Sequence, residues 1–144
     1  MRLKISNDNF CDDQMLGAIT RLHFERDDSI YEDYKKYLKL ILIPAIEMKN
    51  IHVVTDVNDF VVGYFIWAFV PNEVHCKLLN KQQVQIYSWD WNGGDFLWIL
   101  DYRYPRDSPL SLIHRIHECF SGEEIYTFYG EHGLMFSNLS IQRF

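Results

Sequence analysis

Phe96-Leu97-Trp98-Ile99-Leu100-Asp101-Tyr102-Arg103 is the stretch from which the fold can be read. Apolar and aromatic residues run unbroken from Phe96 to Leu100, and then a carboxylate appears. A strand buried on both faces has this pattern, because neither face needs polar residues. An ionised carboxylate beside a core is unfavourable unless it is paired or hydrogen-bonded. Taken alone, Asp101 ends the strand and accepts backbone donors from the next turn. A role in orienting a catalytic partner at the mouth of a cleft needs a second residue, and the candidate is His23.

On the N-terminal side of this strand, Asp90-Trp91-Asn92-Gly93-Gly94-Asp95 reads as a turn in which the two glycines supply positive φ. A weak strand is expected at 84–88, and a short helix from Pro71-Asn72-Glu73 to about Asn80. Ile51 to Thr55 and Phe60 to Val70 read as a hairpin turning at Val57-Asn58-Asp59. A first helix spans 11–24, capped by Asp12 or Asp13, with Met15, Ile19, Leu22 and His23 near one face. Thr20 lies three residues before His23 and shares its side. Ser29-Ile30-Tyr31-Glu32 is a capping box that opens a second helix. Tyr34, Tyr37, Leu38, Ile41 and Leu42 give that helix an apolar face, Lys35, Lys36 and Lys39 a basic cluster, and Pro44 ends or kinks it. Past the central strand, a helix starts at Pro109 and runs to about Phe120, with Leu112, Ile113 and Ile116 inward. Glu124 to Tyr129 and Leu134 to Phe136 read as the last strands. No linker interrupts the pattern. The prediction is one domain over residues 1–144, of α/β (α+β) class, with a mostly antiparallel mixed sheet flanked by helices.

Length and composition bound the function. A chain of 144 residues can bury one sizeable core, and its 16% aromatic content says that rings build the core or a pocket. The net charge of −6 argues against nucleic acid as a partner. The N-terminus lacks an apolar signal core, and the apolar run from Leu38 to Ile46 is too short and too broken to span a bilayer. Cys11, Cys76 and Cys119 are an odd, scattered set and read as reduced thiols of a cytoplasmic protein. His114 and His117, beside Glu118 and Cys119, match no zinc signature, so a solvated helix face is the expectation there and no metal is expected.

Several ordered landmarks carry a resemblance. They are Arg21-Leu22-His23-Phe24, Ile43-Pro44-Ala45-Ile46, Ile66-Trp67-Ala68, Trp91-Asn92-Gly93-Gly94-Asp95, Trp98-Ile99-Leu100-Asp101, and a helix ending at Phe120. In this order and spacing the chain resembles the toxin-activating lysine acyltransferases, which acylate repeat-in-toxin protoxins such as haemolysin. The resemblance covers roughly residues 15 to 130. It implies a fold similar to that of GNAT acetyltransferases, His23 and Asp101 as the catalytic pair, and acyl-acyl carrier protein rather than acyl-CoA as donor. In keeping with that donor, the chain has no Gly-rich loop of the kind that cradles the CoA pyrophosphate. The chain also departs from the family pattern. Thr20 stands where the family often has Ser, Tyr102-Arg103-Tyr104-Pro105-Arg106 replaces a turn ending in Phe-Gly, the C-terminal part is short, and the chain is acidic where the family is often basic. Acyl carrier protein is itself acidic, so either Lys35, Lys36 and Lys39 form a local basic dock or the donor differs. Related proteins in microcin gene clusters help to attach a siderophore to the peptide C-terminus, together with a partner subunit. The resemblance therefore leaves open a protoxin or a microcin precursor as substrate, a maturation subunit or a homodimer as partner, and a non-catalytic scaffold role.

The chemistry follows from proton affinities. Lysine titrates near ~10.4, so little free amine exists at neutral pH, whereas a histidine near ~6.5 can accept the proton as attack proceeds. A carboxylate on the other ring nitrogen fixes the tautomer and stabilises the imidazolium. Thr20 is placed to hold His23, bind substrate or, least readily, accept the acyl group. Backbone N–H groups at Gly93 and Gly94 could donate to a thioester oxyanion, the plainer reading being a hairpin turn. Trp67, Trp91 and Trp98 could line an acyl groove, the plainer reading being core packing.

Overall fold

The computed structural model describes residues 4–6, 10–26, 31–82, 84–103, 109–129 and 140–143. Among them, six strands form one sheet in the order β1 (Lys4–Ser6), β2 (Ile51–Thr55), β3 (Val61–Val70), β4 (Phe96–Arg103), β5 (Ile125–Tyr129) and β6 (Ser140–Arg143). Every neighbouring pair is antiparallel except β4 and β5. A parallel pair needs a crossover, and helix α5 (Pro109–Cys119) lies within it. The class is mixed α/β with a mostly antiparallel sheet flanked by helices, as the sequence predicted.

β3 and β4 form the centre of the sheet, and both are apolar on both faces. Tyr64, Ile66, Ala68, Val70, Trp98 and Leu100 face a core shared with α1 (Asp12–Arg26), α2 (Tyr31–Tyr37), α3 (Ile43–Glu47) and α4 (Asn72–Leu79). Phe65, Leu97 and Ile99 face a second cluster completed by Ile116 of α5. Met15, Ile19 and Leu22 bury the inner face of α1, and His23 joins them one position on.

A register shift between Ile66 and Trp67 decides where the carboxylate points. Ile66 pairs with Asp101 and Trp67 with Ile99, so Leu100 is the extra residue of a β-bulge. Strict alternation would put Asp101 on the α5 face with Leu97 and Ile99. With the bulge, Leu100 and Asp101 both turn to the face covered by α1 and α2.

Two expectations are corrected, one is narrowed, and two strands are added. An end or a kink is expected at Pro44, and the helix does not end there. Leu38–Leu42 widens into a π-helical turn, in which the Ile43 N–H bonds the Leu38 carbonyl, and the helical path continues through Pro44 into α3. The donor that proline lacks is thus accommodated by one wide turn. Residues 84–88 form no strand: Val84 and Ile86 pack into the first core, and the chain then turns as the Asp90 carboxylate accepts the Tyr87 N–H at 3.1 Å. Gly93 and Gly94 do not have positive φ. They are small because the chain passes so close: a Cβ on Gly93 would lie 2.3 Å from the Trp89 carbonyl oxygen, and one on Gly94 would lie 2.2 Å from that of Val70. Lastly, β1 and β6 were not predicted as strands. Leu134–Phe136, Ser29 and Ile30 of the capping box, and the side chains of Leu112 and Ile113 fall outside the described residues.

The 90–95 turn is fixed by a polar hub. The Asn50 side-chain amide donates to the Trp67 carbonyl at 3.1 Å and to Asn92 Oδ1 at 2.9 Å, and its own oxygen accepts from Asn92 at 3.2 Å. Asn50 is buried, and these bonds satisfy a side chain that would otherwise destabilise the core.

Candidate active site

His23 and Asp101 come from elements 78 positions apart in sequence and meet beneath α2. His23 sits in the last turns of α1, where the negative helix end favours an imidazolium. Three tyrosine rings enclose it, with centroids at 5.2 Å for Tyr34, 5.1 Å for Tyr37 and 5.7 Å for Tyr64. His23 is 6% exposed and Asp101 4%, so water is largely excluded from both.

Tyr64 links the pair. Its hydroxyl lies 2.8 Å from His23 Nε2 and donates to Asp101 Oδ2 at 2.5 Å. Tyr37 donates a second, short hydrogen bond to the same Oδ2, and the two phenol oxygens are 3.0 Å apart. Asp101 Oδ1 accepts the Tyr102 N–H at 2.9 Å. The bulge at Leu100 and the wide turn after Tyr37 are thus the backbone features that flank the network. The contact expected from the sequence was a carboxylate on a ring nitrogen of His23. The described contact runs through a phenol.

Burial raises the Asp101 carboxyl above its ordinary range, opposed by the hydrogen bonds from Tyr37 and Tyr64, then by Arg103 and the Tyr102 N–H. Burial also pushes both phenols well above their ordinary value, and the Asp101 charge adds to it, so Tyr37 and Tyr64 stay protonated and act as donors. The folded state holds the Asp101 proton more tightly than the unfolded chain does. Its stabilising contribution is therefore complete below the unfolded value of ~3.9 and is lost as pH rises through the higher folded value. In urea denaturation at a series of pH values, wild type is expected to lose stability relative to Asp101→Asn as pH climbs above about 4. A difference that stays flat with pH would mean that the Asp101 pKa is the same in both states.

The other predicted residues are dispersed. Thr20 Oγ1 accepts from the Tyr34 hydroxyl at 3.1 Å, so Thr20 reaches His23 through the ring that walls it. Trp67 lies on the α5 face of the sheet, stacked on His52 at 4.6 Å and edge-on to Phe120 at 5.3 Å, away from the dyad. Trp98 is fully buried; its indole N–H donates to His75 Nδ1 at 3.0 Å, and it stacks on Tyr126. Trp91 is likewise fully buried. The Gly93 N–H bonds the Asp90 carbonyl at 3.3 Å and the Gly94 N–H bonds the Phe69 carbonyl at 3.0 Å. Both donors are committed to backbone carbonyls, one within the turn and one on β3, which supports the turn reading over an oxyanion site. Among the described residues no three His, Cys, Asp or Glu side chains converge as a metal site, and His114 and His117 lie exposed on α5.

Sequence reasoning missed the tyrosines. Tyr34 and Tyr37 read as part of an apolar helix face, and Tyr64 falls within the strand expected from Phe60 to Val70. A signal existed: a phenol in the middle of a buried strand needs a hydrogen-bond partner, and Asp101 was the polar residue expected at the end of the adjacent strand.

Residues 8–131 match the model of the RTX toxin acyltransferase family. The chain belongs to that family. Among individual members, it is 32% identical over 92 residues to the leukotoxin-activating lysine-acyltransferase LktC, serotype T3, of Mannheimia haemolytica, a match that takes in 63% of this chain. The matched region spans about half of that relative, 53% of its length. Among solved structures, the acyltransferase-family chain is similar to a histone acetyltransferase HPA2 and related acetyltransferase from Corynebacterium glutamicum, at 13% identity and a TM-score of 0.46, over 89% of this chain and 77% of the other.

Proposed function

We propose that this protein is a toxin-activating lysine acyltransferase, a single domain over residues 1–144 in which His23 is the general base and Asp101 anchors it. The observation that carries the proposal is the buried His23–Tyr64–Asp101 hydrogen-bond chain in a member of the RTX toxin acyltransferase family. The donor is a fatty acyl thioester on acyl carrier protein, and the acceptor is a lysine of a protoxin. The lysine ammonium first gives one proton to solvent, and the free Nζ attacks the thioester carbonyl carbon as His23 takes a second proton from the nitrogen. The new N–C bond forms, the C–S bond breaks, and His23 returns that second proton to the departing thiolate, leaving a neutral amide. Lys35, Lys36 and Lys39 are exposed on one helical segment and offer an acidic carrier a local basic surface on an otherwise acidic chain. Cys11, Cys76 and Cys119 are exposed free thiols, which fits work in the reducing cytoplasm. No helix among the described residues is long and apolar enough to cross a membrane.

The test is the intact mass of a candidate protoxin co-expressed with this protein and acyl carrier protein. The expected result is a gain of one fatty acyl group on a lysine. A siderophore-sized gain on a microcin precursor that requires a second maturation subunit would replace the protoxin reading with the microcin one. No gain on either substrate would leave a scaffold role ahead of an enzymatic one.

A further inference from the structure

We infer that Tyr64 is a positioning residue that fixes the tautomer of His23 with its proton on Nε2, so that Nδ1 is the ring nitrogen without a hydrogen. The inference rests on the acyltransferase reading for its mechanism, but its geometry is independent of that reading. It comes from counting hydrogens. Each phenol has one. Tyr37 gives its hydrogen to Asp101 Oδ2. The Tyr64 hydroxyl lies between two acceptors: Asp101 Oδ2 at 2.5 Å and His23 Nε2 at 2.8 Å. An anionic oxygen is the stronger acceptor, and O–H···O⁻ bonds are the short ones, at about 2.5–2.7 Å. The Tyr64 hydrogen therefore points to Asp101. Its oxygen is left with lone pairs facing His23, so the 2.8 Å contact holds only if Nε2 carries a hydrogen.

The same arrangement serves the reaction. When His23 takes a proton it carries hydrogen on both ring nitrogens, and the Nε2–H bond to Tyr64 is kept and strengthened by the charge. Asp101 stabilises that charge through the aligned phenol dipole, and Tyr64, held protonated by its burial, does not ionise. Tyr64 is fully buried, so it acts on His23 and not on substrate.

Nitrogen-15 spectra of the labelled full chain at about pH 8, above the ordinary imidazole range, read the tautomer without any substrate. Wild type is expected to show Nε2 protonated and Nδ1 bare at His23. Tyr64→Phe keeps the ring and removes the oxygen; it is expected to lose that preference and to lower kcat about 10- to 100-fold with KM unchanged, the size of one hydrogen bond to a charged group. Tyr37→Phe leaves the Tyr64 oxygen in place and is expected to retain the Nε2–H tautomer. A wild-type protein with hydrogen on Nδ1 overturns the inference, whether or not Tyr64→Phe folds. So does a Tyr64→Phe variant that folds and keeps the wild-type tautomer. Failure of the acyltransferase reading would look different: the Nε2–H tautomer present, and no acyl transfer to any acceptor.

Discussion

His23→Ala is expected to lower the acyl-transfer rate by about 100- to 10,000-fold, the usual worth of a positioned general base. The measurement is the rate of acyl mass gain on the protoxin with saturating acyl carrier protein donor. The physical reason is the amine. At neutral pH the substrate lysine is almost wholly protonated, and a bound lysine cannot attack until something takes its proton. Burial holds Tyr37 and Tyr64 protonated, so neither phenol takes the proton that leaves as the nitrogen attacks, and in the proposed mechanism that task falls to the imidazole of His23. Alanine also removes a ring packed among three others, so some stability is lost with it. His23→Gln separates the two effects. Its amide can still donate to the Tyr64 oxygen, so the fold is expected to recover while the rate stays low. A His23→Gln protein with wild-type rate would remove His23 from the chemistry.

Why the strands were legible and the network was not comes down to what a sequence pattern encodes. β2, β3 and β4 announce themselves through runs rich in β-branched, aromatic and other apolar residues, and both faces of β3 and β4 carry buried residues. The same property hides the bulge. In a strand that is apolar on both faces, inserting one residue leaves no trace in the hydrophobic pattern, so nothing in Trp98-Ile99-Leu100-Asp101 says which face Asp101 takes. The π-turn before Pro44 is hidden in a similar way, since proline within a helical pattern signals an end and the compensating wide turn has no composition of its own. β1 and β6 are short edge strands, whose sequences carry little apolar signal and whose pairing is dictated by neighbours far along the chain. His23 and Asp101 could be paired through the family resemblance. Tyr64 could not, because a tyrosine within Val61–Val70 reads first as core.

Gly94→Ala is expected to destabilise the fold by at least ~3 kcal/mol, the upper range for forcing extra atoms into packed structure. The added carbon would lie 2.2 Å from the Val70 oxygen, 2.4 Å from the Val70 carbonyl carbon and 2.4 Å from Pro71 Cα. All three are backbone atoms, so no side chain can rotate away to relieve the overlap. Moving the turn outward would break the Gly94 N–H bond to the Phe69 carbonyl at 3.0 Å, and with it the Phe69 N–H bond to the Trp91 carbonyl at 2.9 Å. The Asn50–Asn92 pair would be strained by the same shift. For a chain of this size the loss corresponds to a melting temperature lower by about 10 °C. The result distinguishes the two roles considered for this turn. If Gly94 serves packing, stability falls and kcat per folded molecule holds, because both glycine N–H groups are committed to backbone carbonyls. An oxyanion role would give the opposite pattern, with the melting temperature held and kcat down by about 100-fold or more. Since the site at His23 faces α1 and α2 while this turn is tied to Asn50 and the end of β3, the first pattern is the expected one.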